Sequence, residues 1–335
     1  MTFIGHRSVI KTAAKLFSII IFTALLVFGA VILGLRIKHQ HFYGSAFKEF
    51  EVPGLSGGFV PQGLDYCEEQ SVFLISGYES GSNRAIVYAV THNGNYRELS
   101  LDNTDGKELI CHSGGISHTE KYVYVVGGGK CYVFPFDAFF SEEKPSVTAV
   151  QSFDSFNRAS FCTCDGEYLY IGEYYYPIGY NSDASHHITT PSGDINKAVI
   201  MAFKLDDGSS AGVDVQPVFA LSATERIQGM CVAKGGRLFL SASSVFRGSQ
   251  IYVYDYNAVR ENSGSLSIGD GEIPLYYLDS KSLISTTEIL PQSEGIIMLG
   301  DRLYMLFESA SRRYMYGKLL DSQYVYSAPM DFFVL

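Results

Sequence analysis

Six polar residues stand just before, or at the start of, short apolar stretches that are similar to one another. They are Gln62, His112, Arg158, Arg226, Gln228 and Glu294. A guanidinium group can clamp a carboxylate or a phosphate through two parallel hydrogen bonds, and this set holds two arginines beside one carboxylate. If the six side chains converge, we expect a site for a small polar or anionic ligand. The alternative is that they satisfy one another and the loop backbone at the mouth of a water-filled channel.

A second set of polar residues follows the same stretches and raises the question of a cation site. Glu79, Glu173 and Glu308 occupy equivalent places, with Ser243 in a fourth. Together with Glu294 they could bind calcium, which prefers several oxygen ligands. The same glutamates can instead pair with arginines of the corresponding loops, which are Arg84, Arg247, Arg312 and Arg313. Arginine pairing is the simpler explanation, so we expect no metal site.

The longest loop, residues 174–197, is rich in tyrosine and has no regular period. Loops of this length are usually functional or disordered. Tyrosine is rigid and amphipathic, which suits it to stacking on sugars or aromatic ligands. His186 and His187 would point in different directions on an extended chain, so we do not expect them to share a metal.

No catalytic motif is present: the chain lacks G-x-S-x-G, H-E-x-x-H and the Walker loop. The catalytic residues and any cofactor are therefore unknown at this stage. Two functions stay open. One is a protein that binds a small polar or anionic ligand or a surface partner, and the other is a hydrolase or lactonase with its site at the mouth of a central channel.

The elements that must position these residues form an internal repeat. Each unit has a small residue, an apolar residue, a polar turn and an alternating aromatic strand, followed by a second such strand. The opening stretches of the five units are residues 62–80, 114–129, 159–175, 228–244 and 294–311. This pattern predicts an all-β fold, a β-propeller of five blades, in which equivalent positions meet at the axis. Six blades are the alternative if a degenerate one lies within 245–290, and an irregular pair of β-sandwiches is the other. Residues 47–52 are predicted to close the ring by pairing with the last blade.

The unit starts PQGLDY, IQGMCV and SEGIIM resemble those of the calcium-dependent propellers of the gluconolactonase, paraoxonase and strictosidine-synthase-like group. The resemblance spans about 60–335, and the chain is most similar to uncharacterised membrane-anchored bacterial propellers. It implies a central calcium held by acidic and amide residues at blade starts, the first usually a glutamate. This chain has Gln62 there and keeps a carboxylate only at Glu294, so the implied ligand set is incomplete.

An N-terminal apolar segment predicts a membrane anchor. Residues 16–35 hold no charge, and twenty helical residues span about 30 Å, the thickness of the hydrocarbon core. A cleaved signal peptide is the alternative, but its apolar region is normally shorter. Arg7, Lys11 and Lys15 precede the segment, against Arg36 and Lys38 after it, which places the N-terminus inside. The expected domains are a cytoplasmic tail (1–15), a transmembrane anchor (16–35), a linker (36–46) and an extracytoplasmic propeller (47–335) at the cell surface.

Charge and cysteine content limit the partners further. The formal net charge of −10 argues against nucleic acid, because phosphate binding needs clustered lysine and arginine.

Several cysteines stand in strand-like apolar runs, where they behave as small hydrophobic residues. We expect mostly free thiols, with one or two disulfides as the alternative. The cysteines are Cys67, Cys111, Cys131, Cys162, Cys164 and Cys231.

Overall fold

The computed structural model describes residues 3–141, 146–244, 248–261 and 263–334, with side chains from residue 13 onward. The chain forms two compact units, Met1–Gly44 and Ser45–Leu335. The first unit contains α1 (Phe3–Lys38) and most of α2 (Gln40–Ser45). Within α1, Ala13–Lys38 has a mean hydropathy of 2.9 and none of its apolar window is buried, so this helix is long and apolar enough to cross a membrane. The predicted linker (36–46) is mostly helical, because α1 continues to Lys38 and α2 follows after a turn at His39.

The second unit is almost entirely β-structure, as its alternating aromatic runs predict. In chain order the strands are β1 (Phe47–Glu51), β2 (Phe59–Cys67), β3 (Val72–Glu79), β4 (Ala85–Thr91), β5 (Tyr96–Asp102), β6 (Gly115–His118), β7 (Tyr122–Gly127), β8 (Lys130–Pro135), β9 (Ser146–Thr148), β10 (Gln151–Asp154), β11 (Ala159–Cys164), β12 (Tyr168–Glu173), β13 (Ile188–Thr189), β14 (Ile195–Asn196), β15 (Ala198–Leu205), β16 (Val213–Ala223), β17 (Ile227–Ala233), β18 (Arg237–Ala242), β19 (Ser249–Asp255), β20 (Ser263–Ile268), β21 (Gly271–Tyr277), β22 (Leu283–Ile289), β23 (Ser293–Leu299), β24 (Arg302–Phe307) and β25 (Tyr324–Pro329). Short helices follow three of the outer strands: α3 (Phe136–Phe140), α4 (Tyr256–Val259) and α5 (Asp331–Val334).

The strands form five blades, which confirms the predicted five-bladed propeller. From the axis outward the first is β2-β3-β4-β5-β9 and the second is β6-β7-β8-β10. The third is β11-β12-β15-β16-β21-β20, the fourth is β17-β18-β19-β22, and the fifth is β23-β24-β25-β1. The small hairpin β13-β14 belongs to the long loop of the third blade.

The alternative of a sixth blade within 245–290 is wrong. This stretch supplies β19 and β22 to the fourth blade, while the hairpin β20-β21 joins the outer edge of the third, where β21 runs parallel to β16. The hairpin buries Leu266 and Leu275 in the core cluster of the third blade, and the Tyr276 ring packs against Phe219 of β16. The two strands therefore extend an existing sheet instead of starting a new one.

The ring closes as the sequence predicts. Strand β1 pairs antiparallel with β25, with Phe47 opposite Ser327 and Glu51 opposite Tyr324. Phe50 of the closing strand is buried, and its ring centroid lies 4.9 Å from that of Phe73 in the first blade. The closing strand thus contributes both backbone pairing and core packing.

Apolar side chains fill the spaces between neighbouring blades. Leu74 and Val87 of the first blade pack against Val125 and Phe134 of the second. Similar clusters join the second blade to the third, the third to the fourth and the fifth to the first.

The six cysteines are free thiols, so the disulfide alternative is wrong.

Glycines let the innermost strands touch at the axis. A Cβ atom added to Gly295 would lie 2.4 Å from the Leu64 amide nitrogen, and one added to Gly115 would lie 2.3 Å from the Cys162 amide nitrogen. Real Cβ contacts are not this short, so these positions accept only glycine without movement of a neighbouring backbone. This explains why the unit starts repeat a Gln-Gly or Glu-Gly pair.

Candidate functional site

A cavity of about 980 Å³ opens at the end of the propeller where the innermost strands begin. Five of the six predicted site residues line it: Gln62, His112, Arg158, Arg226 and Gln228. The sixth, Glu294, is 1% exposed, and its buried Oε1 has no hydrogen-bond partner among the described atoms. Positions that are far apart in the chain meet here because the units are arranged radially.

Three guanidinium groups line the cavity, those of Arg158, Arg226 and Arg313. Arg158 donates a 2.9 Å hydrogen bond to the Asn181 carbonyl oxygen, and Arg313 donates one of 2.6 Å to the Tyr78 hydroxyl. Neither makes an ion pair of 4 Å or less with an acidic side chain among the described residues. Both therefore keep donor capacity for an anion.

Arg226 is held in an unusual backbone conformation. Its φ of +67° lies in the left-handed region, which non-glycine residues rarely adopt outside turns and functional sites. The Arg226 amide donates to the Tyr175 carbonyl oxygen, and its own carbonyl accepts from the Ser243 amide. Its guanidinium lies 4.9 Å from the Tyr176 ring centroid and 3.1 Å from the Glu225 carboxylate, while its buried Nε has no partner among the described atoms.

Two buried carboxyl groups, those of Glu294 and Glu308, lie at the cavity. Glu308 accepts hydrogen bonds from the side-chain amides of Gln62 (2.9 Å) and Gln292 (2.7 Å). Burial raises the pKa of Glu308 to about 7. Burial, followed by repulsion from Glu308, raises the pKa of Glu294 well above its usual value. Since two buried carboxylates so close together resist double ionisation, the pair holds a proton near neutral pH.

Tyrosines form much of the remaining wall: Tyr78, Tyr174, Tyr176, Tyr180 and Tyr314. Tyr78 stacks on His112, with ring centroids 4.4 Å apart and ring planes 6° from parallel. Burial, helped by the nearby charge of Arg313, lowers the pKa of His112, so this ring is neutral near pH 7. The cavity therefore offers flat aromatic surfaces beside its charged groups.

The long loop of residues 174–197 divides between two sites. Its first part contributes Tyr174, Tyr176, Ile178 and Tyr180 to the central cavity. Its middle part turns away, and His186 Nδ1 lies 2.7 Å from the buried carboxylate of Glu173. Glu173 also accepts hydrogen bonds from the Val199 and Arg158 amides. Glu173 therefore fixes this loop beside a smaller side pocket.

The glutamates do not all converge. Glu79 forms an ion pair with Arg84 at 3.6 Å and lies outside the cavity wall, which agrees at that position with the arginine pairing that the sequence favoured. Glu173 is taken up by its loop, and only Glu308 joins Glu294. Among the described residues, no third acidic, histidine or cysteine side chain is near enough to share an ion with these two. Arg247 lies outside the described residues.

Tyr78, Gln292 and Tyr314 are among the wall residues that sequence reasoning missed. Gln292 could have been found from the repeat, because it stands two residues before Glu294 as Arg226 stands two before Gln228. The structure bears out this equivalence: Gln292 also has a positive φ, +55°, and its carbonyl accepts the Glu308 amide as that of Arg226 accepts the Ser243 amide. Tyr78 and Tyr314 had no signal beyond their residue type.

Comparison with known proteins supports no finer assignment than the fold. No protein-family model matches the chain, and no curated protein matches it. Among solved structures it is similar to the PQQ-bound aldose sugar dehydrogenase of Streptomyces coelicolor (12% identity, 85% of this chain and 98% of that one, TM-score 0.41). It is also similar to a putative 6-phosphogluconolactonase of Bacteroides fragilis (12% identity, 72% and 90%, TM-score 0.35) and to BamB of Moraxella catarrhalis (11% identity, 80% and 82%, TM-score 0.35). These are β-propeller proteins, and the blade topology given above establishes the same fold here.

Proposed function

We propose that the propeller binds a small organic anion in its central cavity, held there by Arg158, Arg226 and Arg313. The observation that carries the proposal is a local excess of positive charge in a protein whose formal net charge is −10. The three guanidinium groups face two buried carboxyls that hold a proton between them, and Glu225 pairs with only one of the three. A carboxylate or phosphate ligand would complete this charge balance.

The tyrosine-rich wall narrows the class of ligand. Aromatic rings stack on the apolar faces of sugars and other ring systems, and the amides of Gln62, Gln228 and Gln292 can bind hydroxyl groups. A cavity of about 980 Å³ has room for more than one sugar ring. We therefore propose a carboxylated or phosphorylated carbohydrate as the ligand class.

The experiment is a binding screen on the full-length protein in detergent. Uronates, aldonates and sugar phosphates are compared with their neutral parent sugars by thermal shift, and then by calorimetry. A ligand that binds the native state raises Tm in a dose-dependent way, so the acids should raise it while the neutral sugars raise it less or not at all. Arg313→Ala should abolish the difference. Arg312→Ala is the matched control, because Arg312 is the exposed neighbour that does not line the cavity.

A screen in which neutral sugars bind as well as the acids, or in which Arg313→Ala binds like the wild type, would refute the anion site. Added salt gives a further check, because an ionic contact at a partly exposed site weakens as ionic strength rises.

A hydrolase or lactonase is the second candidate, and Glu308 is the observation that favours it. A carboxyl with a pKa of about 7 can donate a proton to a leaving group at neutral pH. If the protein is such an enzyme, Glu308→Gln should abolish turnover of lactones or glycosides and preserve their binding. If the wild type binds sugar acids without turning over any of these substrates, the binding function stands alone.

We also propose that the N-terminal helix is a retained anchor with the propeller outside the cytoplasm. The apolar length of Ala13–Lys38 supports this proposal, as does the small excess of basic residues before the uncharged segment 16–35.

A further inference from the structure

A second cluster of reactive side chains lies at the opposite end of the innermost strands from the central cavity. Cys67 is the last residue of β2, and Glu69 stands in the turn that follows it. His118 is the last residue of β6 in the neighbouring blade. The two strands touch at the axis, where a Cβ atom on Gly63 would lie 2.6 Å from the Ile116 amide nitrogen. Ring geometry therefore brings the ends of β2 and β6 together.

Three different ligand atoms face one another in this cluster. The Cys67 sulfur lies 3.3 Å from a Glu69 carboxylate oxygen, and His118 Nε2 lies 3.8 Å from the same oxygen. All three ligand atoms lie within 4.8 Å of one another. In a tetrahedral zinc site, metal–ligand bonds of about 2.0–2.3 Å place neighbouring ligand atoms roughly 3.3–3.6 Å apart. Small side-chain movements would bring the cluster to this geometry.

Asp65 orients the histidine. Its carboxylate lies 2.6 Å from His118 Nδ1, and its other oxygen accepts the Tyr66 amide at 2.9 Å. Asp65 and Cys67 are two residues apart on one strand, so their side chains project from the same face. When Nδ1 carries the proton donated to Asp65, the lone pair of Nε2 is directed toward Glu69 and Cys67. Carboxylates commonly hold metal-binding histidines in this way.

The cluster is closed on one side and open on the other. Cys67 is fully buried, the side chain of His118 is 16% exposed and that of Glu69 is 55% exposed. The solvent side leaves a fourth position for water, as in zinc sites with three protein ligands. In the metal-free protein the Cys67 thiol donates to Glu69, and a bound ion would displace that proton to solvent.

We propose that Cys67, Glu69 and His118 bind a zinc ion, with Asp65 as a positioning residue. The donor set selects this metal: one thiolate, one imidazole and one carboxylate suit zinc, whereas calcium and magnesium require oxygen ligands. The site is separate from the central cavity and does not depend on the function proposed for it.

The test uses the tag-free full-length protein in detergent, with its thiols kept reduced. Cobalt(II) is titrated first, because a cysteine ligand gives a sulfur-to-cobalt charge-transfer band and tetrahedral coordination gives strong visible bands. One equivalent should produce both, and zinc should remove them by displacement. Cys67→Ser should abolish the charge-transfer band, whereas Cys231→Ser, which removes a buried thiol of the fourth blade, should leave it unchanged.

Two further variants keep the test decisive if Cys67→Ser does not fold. Glu69→Gln alters an exposed side chain and should weaken zinc binding at least tenfold. Asp65→Asn retains the acceptor for the Tyr66 amide and should weaken zinc binding about 10–100-fold, while saturating cobalt still gives the charge-transfer band. Reduced wild type that binds neither metal, or binding that survives Glu69→Gln and Asp65→Asn unchanged, would overturn the proposal.

Discussion

The side-chain amide of Gln62 in the first blade donates a 2.9 Å hydrogen bond to the carboxylate of Glu308 in the fifth. These residues come from the two blades that meet where the ring closes. The cavity wall is therefore continuous only in the closed ring. Closure depends on β1, a strand that contributes no residue to the wall, so ligand binding and ring closure should be linked.

Phe50→Ala should test that link. The Phe50 ring is buried between the last blade and the first, and removing a buried phenylalanine ring costs about 3–5 kcal/mol. We expect a large loss of stability in denaturation experiments and a parallel loss of ligand binding. Phe47→Ala is the matched control: Phe47 lies on the same strand, is 63% exposed and only stacks on Arg302. Equal effects of the two variants would contradict the closing role of Phe50.

Gly295→Ala should destabilise the propeller by disturbing the contact between innermost strands at the axis. The added methyl group would meet the backbone of the first blade at Leu64, and overpacking of this kind costs about 1–3 kcal/mol. Gly57→Ala is the control, because a Cβ at Gly57 meets nothing within 4 Å. Chemical denaturation of both variants measures the difference, and an unchanged midpoint for Gly295→Ala would show that the strands can move apart.

The protonation of Glu308 should appear in the pH dependence of stability. Burial raises its pKa from the usual 4.5 to about 7 in the folded protein, so the folded state binds this proton more tightly than the unfolded state. The resulting stability is present at acidic pH and is lost as pH rises through the interval from about 4.5 to 7. Glu308→Gln should flatten Tm against pH in that interval, and Glu79→Gln, at the half-exposed last residue of β3, should not. A wild-type profile that rises between pH 5 and 7 and is unchanged by Glu308→Gln would refute this assignment.

Arg226→Gly should weaken ligand binding without lowering the stability of the fold. Glycine adopts a φ of +67° without strain, so the stability should be kept or slightly raised. Loss of a charge-assisted contact costs about 1.5–3 kcal/mol, which corresponds to a loss of affinity of roughly tenfold or more for the anions found in the binding screen. Calorimetry on this variant and on Arg226→Lys, which keeps the charge and loses the planar fork, measures both effects. Unchanged affinity in Arg226→Gly would remove Arg226 from the site.

The anchor can be tested by the size and location of the expressed protein. We expect the intact chain in the membrane fraction, soluble only with detergent, with its propeller accessible to added protease from outside the cytoplasm. Residues 45–335 alone should be soluble and folded, since they form a compact unit of their own. A shortened chain released into the medium would favour a cleaved signal peptide.

The sequence was sufficient for the fold because each unit repeats local signals. Glycines at the unit starts mark four of the five innermost strands, and the aromatic strands that follow mark all five units. Residues 47–52 showed an unpaired strand just before the first unit. The outer edges were not predictable in the same way. Strands β20 and β21 follow β19 of the fourth blade in the chain but pack Leu266 and Leu275 on the core of the third, and no repeated signal in the sequence indicates that return.

The same distinction holds for the site. Positions such as Gln62 and Arg226 follow from radial symmetry, whereas Tyr78 near the end of β3 and Tyr314 in the irregular segment after β24 are marked by no repeated signal. The environments of Glu79, Glu173 and Glu308 differ because loops supply different partners, Arg84 for Glu79 and His186 for Glu173. Equivalent residues in a repeat share a location but not an environment.

The closing pair also determines when the molecule can finish folding. Glu49 of β1 and Ser327 of β25 share a hydrogen bond although 278 residues separate them in the chain. At a synthesis rate of about 5–20 residues per second, β1 waits roughly 15–55 s for its partner. During that interval a strand a few residues beyond the N-terminal helix keeps an unpaired edge, which is a site for pairing with other chains. The order of synthesis therefore leaves the nascent chain open to such pairing until its last blade is complete.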